Sequence, residues 1–88
     1  MSWRGYRSAN TIAPMEWEKI VGANIRRLRK ERGLSQEALA GEAGLAMRHL
    51  GRIERGEGNP TVAILGKLAE VLGVHPTDFY SVDHQGRS

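Results

Sequence analysis

From Glu16 onward the apolar residues Trp17, Ile20, Val21, Ile25 and Leu28 recur at steps of three and four, which places them on one helical face. The pattern predicts a first helix closed at Gly33, where a left-handed capping residue follows a cationic last turn. Ser35 offers an N-cap hydroxyl to a short second helix, with Leu39, Ala40 and Ala43 turned inward and Gly44 as its stop. Ala38 stands where a capping box wants Glu, so only the single cap is expected. Leu45, Leu50 and Ile53 mark the buried side of a third helix ending at Gly56, and Glu57-Gly58-Asn59-Pro60 is turn chemistry. Thr61 caps a fourth helix, whose apolar positions Ile64, Leu65, Leu68, Ala69, Val71 and Leu72 lead to Gly73. Pro76 suits the first position of a fifth, very short helix reaching Tyr80, with Asp78 near its positive end and His75 as a loop or capping residue.

The pattern therefore predicts an all-α chain with one domain over residues 15–80. Residues 1–14 mix Gly, Ser, Asn and Pro with Trp3 and Tyr6 and show no helical period, which predicts a flexible arm. Arg4 and Arg7 either touch phosphate or belong to a solvated tail. Residues 81–88 are polar and are expected to fray. An apolar fraction of 40% with only 6% aromatics gives an aliphatic core, and 88 residues leave room for little beyond one small domain.

The absence of cysteine removes disulfides and thiolate chemistry and suits the reducing cytoplasm. The first twenty residues lack the apolar run of a signal peptide, and no stretch is long enough to span a bilayer. A cytoplasmic protein without membrane contact is the expectation. His49, His75 and His84 lack ligand spacing and no Ser-His-acid set is suggested, so neither an enzyme nor a metal or other cofactor is expected.

A net charge of +3 separates nucleic-acid binders from other basic proteins poorly, but its distribution is more informative. Arg26, Arg27, Arg29, Lys30 and Arg32 crowd one segment, and Arg48, Arg52 and Arg55 another. The second group falls on the third helix, opposite Leu45, Leu50 and Ile53, on an arc with Ala46, Met47 and Gly51. Two short helices separated by Gly44 must pack crosswise over a tight turn, which makes Ala40 their closest contact.

These features resemble the phage-repressor and Cro-like (XRE) family of helix-turn-helix regulators. The resemblance covers Glu16 to Tyr80. It rests on Ile25-Arg26-Arg27-Leu28-Arg29, Leu34-Ser35-Gln36-Glu37-Ala38-Leu39-Ala40, Ala43-Gly44-Leu45 and Ile53-Glu54-Arg55-Gly56. It implies a compact five-helix, lambda-repressor-like domain whose third helix enters the major groove, and hence a sequence-specific transcriptional regulator, a repressor or autoregulator.

Matching positions in that family read bases, which nominates Met47, Arg48 and Arg52. Arg48 leads, since a guanidinium bonds two guanine acceptors at once, and Met47 suits a thymine methyl group. His49 is a weaker candidate. Gln36 begins the second helix, where outward N–H groups and the dipole favour phosphate. Asn59 and Thr61 resemble the family's second phosphate clamp, and Arg55 either meets phosphate or caps its helix. The resemblance also implies an ion pair between Arg29 and Glu54. Two departures limit what the resemblance carries over: Ala46, at the start of the recognition helix, stands where the family usually has a Ser or Thr cap, worth about 1 kcal/mol. Gly41 and Gly51 each cost a helix interior about 1 kcal/mol relative to Ala.

One recognition helix reads few base pairs, so a homodimer on a palindromic double-stranded DNA operator is expected. Leu72, Val74, Phe79 and Tyr80 make the expected dimer surface, the alternative for Val74 and Phe79 being closure of the monomer core. No sensor domain is expected after the helices, so regulation would rest on concentration, dimerisation or a partner protein such as a toxin. The rival reading is a protein-interaction module, an antitoxin or coactivator adaptor. Arg48 and Arg52 argue against pure protein binding.

Overall fold

The computed structural model describes residues 16–82, so the arm expected over 1–14 and the tail beyond Val82 lie outside the described residues. Four α-helices follow in order, α1 Trp17–Glu31, α2 Gln36–Ala43, α3 Met47–Glu54 and α4 Val62–Leu72, and then a 3₁₀ turn, Pro76–Tyr80. The described residues contain no strand. Ser35 Oγ accepts from the Ala38 N–H at 2.9 Å and Thr61 Oγ1 from the Ile64 N–H at 3.1 Å, so both expected hydroxyl caps form. Ala46 heads α3 in an extended conformation with no side-chain cap.

The expected fifth helix is replaced by the 3₁₀ turn, for reasons visible at both its ends. At its start the His75 N–H donates to Asp78 Oδ2 at 3.1 Å, and the Thr77 N–H meets His75 Nδ1 at 3.4 Å, which closes a tight local ring. At its end, the carbonyls of Phe79 within the turn and of Ser81 just after it both accept from Asn24 Nδ2, at 2.7 and 2.8 Å. Those acceptors are turned towards α1, so no further helical turn can be added. Short runs are where 3₁₀ geometry is tolerated.

The helices enclose one core. Ile25, Leu39, Leu50, Leu68, Leu72 and Phe79 have no exposed surface, and Val21, Ala40, Ala43, Ile53, Leu65 and Ala69 join them. Each fully buried Leu, Ile or Phe contributes roughly 1.5 to 3 kcal/mol. This burial corrects the expected dimer surface: Leu72 and Phe79 are at 0% exposure inside the monomer and have no side-chain area to offer a partner. Val74 is half-buried against the same core. Tyr80 alone of the four is exposed, with its ring centroid 5.7 Å from that of Trp17.

Two contacts fix how the helices meet. The α2–α3 turn closes when the Leu45 N–H reaches Ala40 O at 2.8 Å, with Gly44 at φ 75°, a backbone conformation that a side chain opposes. Across the core, α1 lies almost on the C-terminal turn of α3. A Cβ added at Gly22 would stand 2.2 Å from Ile53 O and 2.8 Å from Glu54 O. Arg32 of the α1 C-terminus donates to Leu72 O and ties α1 to the end of α4.

Candidate nucleic-acid interface

Seven of the eight residues of α3 divide between inside and outside. Leu50 and Ile53 are buried, while Met47, Arg48 and Arg52 face solvent, Met47 at 51% exposure. An exposed methionine and two exposed guanidiniums along two turns of helix form a surface with both apolar and bidentate donor groups. Such a surface matches the methyl groups and paired acceptors of a major groove. His49 is half-buried at its edge.

A buried polar network holds this helix. Arg29 donates from Nε to Glu54 Oε2 at 2.7 Å and from Nη2 to Glu54 Oε1 at 3.0 Å, a two-pronged ion pair between α1 and α3. Arg29 Nη1 also donates to Leu34 O at 2.9 Å, and Gln36 Nε2 to Glu54 Oε1 at 2.9 Å. One carboxylate thus collects donors from α1 and α2 and ties both to the last residue of α3. Both charged side chains are nearly out of solvent, where paired geometry decides whether a buried charge is tolerated.

Gln36, Arg55 and Asn59 gather at the C-terminal part of α3, and Thr61 stands at the start of α4. Gln36 donates one amide N–H to Glu54 and has a second N–H on the same nitrogen. Arg55 forms the C-cap of α3, and its Nη2 pairs with Glu57 Oε1 at 3.2 Å. Asn59 lines a shallow polar depression with Glu18, Arg52, Gly56, Glu57 and Gly58. Thr61 is exposed, with its hydroxyl oxygen already accepting from Ile64. The Glu57 carboxyl is held below its ordinary value of 4.5, chiefly by the Arg55 guanidinium beside it, with smaller contributions from the charges of Arg52 and Lys19.

Several residues that shape this surface escape the hydrophobic pattern. Gly22 and Asn24 sit between Val21 and Ile25 on the buried arc of α1, where a glycine and an amide carry no period signal. Their position on that arc is the one clue to a close crossing and a buried hydrogen-bonding group. Gly51 is buried under the side chains of Gln36 and Arg55, so its lack of a side chain serves neighbours within the fold.

A family model described as Helix-turn-helix matches residues 25–79. An uncharacterized HTH-type transcriptional regulator, y4dJ of Sinorhizobium fredii, is 47% identical over 60 residues, covering 68% of this chain and 78% of that protein. The chain belongs to the helix-turn-helix family of transcriptional regulators. Another family member, SutR of Escherichia coli, is 40% identical over 63 residues, but these make up only 35% of its length, and in RamB of Mycobacterium tuberculosis the match covers 13%. Among solved structures, the restriction-modification controller protein C.AhdI from Aeromonas hydrophila superposes with a TM-score of 0.70 at 36% identity, over 72% of this chain and 96% of that one. The biofilm master regulator SinR in complex with DNA gives 0.66 at 37% identity, over 69% and 98%. Within this helix-turn-helix regulator, α2 and α3 form the motif that names the family.

Proposed function

We propose that this chain binds duplex DNA with α3 in the major groove, as a homodimer on a palindromic operator, and so represses transcription, its own included, in the cytoplasm. The observation that carries this reading is the exposed arc of Met47, Arg48 and Arg52 on a helix whose last residue, Glu54, is tied to α1 and α2 by Arg29 and Gln36. Met47, Arg48 and Arg52 meet base edges. Gln36, Asn59, Thr61 and Arg55 lie towards phosphate, around the C-terminal part of that helix and the start of α4. The SinR–DNA complex supports this use of the fold, as do the relatives that are HTH-type transcriptional regulators. For the dimer, the exposed Trp17, Tyr80 and Val82 replace the buried Leu72 and Phe79 as the apolar surface available to a second copy. No helix among the described residues is long and apolar enough to cross a membrane.

Selection of duplexes from a random-sequence pool, followed by titration at several salt concentrations, tests the reading. Binding is expected to weaken steeply with salt, with a slope of about −0.9 per phosphate contacted. Arg48→Ala is expected to flatten the preference at one position of each half-site, by roughly 1 to 3 kcal/mol of discrimination. A pool that shows no enrichment after repeated rounds would overturn sequence-specific recognition.

A further inference from the structure

The start of α1 packs against the residues that follow α3, and a glycine makes the contact possible. Gly56 has φ 77°, and a Cβ added there would stand 2.7 Å from Lys19 Cγ, 2.9 Å from Lys19 Cα and 3.3 Å from Lys19 Cβ. The second of these contacts is to backbone, which no change of rotamer relieves. The absent side chain therefore lets the stem of Lys19 lie on Gly56, two residues past the end of α3, while Lys19 itself is exposed. Gly56 also lines the polar depression shared by Arg52 and Asn59, so Lys19 borders residues already assigned to DNA. Its charge reaches the same end of α3, where it helps to hold the Glu57 carboxyl below its ordinary value.

Three other cations of α1 are engaged elsewhere. Arg27 pairs with Glu31 at 3.1 Å along the helix, Arg29 is buried against Glu54, and Arg32 donates to Leu72 O. Lys19 makes no ion pair among the described residues. The difference has an energetic consequence. A phosphate that draws Arg55 from Glu57 must replace an existing pair, whereas one that meets Lys19 breaks none. The stem is already held as far as Cγ, so less side-chain freedom is lost when the ammonium is engaged.

We propose that Lys19 is a DNA-binding residue of this interface: seated on Gly56, it meets a backbone phosphate at the C-terminal end of α3 and adds affinity without sequence preference. An ammonium is a point charge, which suits phosphate and carries no base code. The inference rests on the DNA reading given above and extends that interface to α1, outside the helix-turn-helix pair. Glu18 and Glu57 line the same depression, and a lysine that merely offset their charge would touch no phosphate.

The two roles separate when the full chain is titrated at several salt concentrations against two fluorescent duplexes, one enriched by the wild-type protein from a random pool and one a scramble of it. Lys19→Met keeps the stem over Gly56 and removes the charge. It is expected to make the salt slope shallower by about 0.9 for each protomer bound, on both duplexes alike. At about 0.1 M salt this is a loss of about eightfold per protomer, with the ratio between the duplexes within about twofold of wild type. Lys19→Arg is expected to keep the wild-type slope, and both variants to melt with the wild type. In a background of Glu18→Gln with Glu57→Gln, Lys19→Met is expected to lower the slope by the same amount. An unchanged slope, a loss confined to the enriched duplex, or a change that vanishes once both carboxylates are neutral would overturn the proposal. If the wild type enriches no sequence, any duplex of the pool still tests Lys19, and the sequence-specific reading alone fails. A wild type that binds no duplex refutes both.

Discussion

At the scale of single residues, glycines with the same sequence signature carry opposite consequences. Gly22, Gly41 and Gly51 all lie inside helices, where each is about 1 kcal/mol worse than Ala if nothing else acts. At Gly41 nothing lies within 4 Å of an added Cβ, so Gly41→Ala is expected to stabilise the fold by about that amount. At Gly22 the same methyl group meets two backbone carbonyls of α3, which cannot swing aside as a side chain can. Gly22→Ala is therefore expected to cost about 3 kcal/mol, read as a lower urea midpoint with an unchanged slope. Equal midpoints for the two variants would disprove the close crossing. Asn24 follows the same logic for polar groups. Asn24→Ala removes the donor to two carbonyls in the C-terminal turn, one of them buried, and is expected to cost about 1 to 3 kcal/mol. Hydrogen exchange in Phe79 to Ser81 should rise more than in α2. For Glu57, the depressed carboxyl fixes the sign of the pH effect: its pairing with Arg55 holds through the neutral range and is lost only as pH falls through a value below 4.5. Any affinity difference between wild type and Glu57→Gln should accordingly stay level across neutral pH.

At the scale of elements, legibility followed the physics of each signal. The boundaries of α2 and α4 were readable because a hydroxyl before each helix and a glycine after it are local devices, which act the same way in any fold. The inner faces of α3 and α4 were readable because burial imposes a helical period on them. The 3₁₀ form of the fifth element is not legible, because its last residues bond to Asn24, 55 residues away from Phe79, and no local pattern reports such a partner. Leu72 is expected at a surface and Phe79 is left open between a surface and the core for the same reason, since an apolar residue near a chain end looks alike whether it closes a core or meets a second copy; both are buried. At the site, the charged arc of α3 was legible, but the notch of Gly51, Arg55 and Gln36 was not, because it joins two helices through an absent side chain. The uncapped start of α3 was legible and has a direct consequence. Ala46 already has the extended backbone of an N-cap, at φ −70° and ψ 142°, so Ala46→Ser is expected to add a hydrogen bond to a free N–H of the first turn. A gain of about 1 kcal/mol in stability is expected by urea denaturation. A destabilised Ala46→Ser would show that this turn is held by something other than capping.

At the scale of the whole molecule, the question is whether the Arg29, Glu54 and Gln36 network serves stability, recognition or both. Three of the four helices meet at it, and it lies directly behind the proposed groove-facing arc. Arg29→Ala strands a buried carboxylate and is expected to cost about 3 to 5 kcal/mol, a large share of the 5 to 15 kcal/mol typical of a whole domain. That loss alone would abolish binding without showing why. Replacing both partners by apolar residues of similar bulk, Arg29→Met with Glu54→Leu, removes the desolvation cost together with the attraction, and such exchanges are commonly neutral for stability. The double variant also removes the acceptor of Gln36 and the tie from α1 and α2 to the last residue of α3. If the network exists to orient α3, the double variant should melt within about 1 kcal/mol of wild type yet lose most of its preference for the enriched duplex over a scramble. Its residual binding should keep the salt dependence of non-specific attraction, because Arg48, Arg52 and Arg55 are still present. Wild-type preference in a stable double variant would mean that packing of Leu50 and Ile53 suffices to aim the helix, and that the buried pair has no part in recognition.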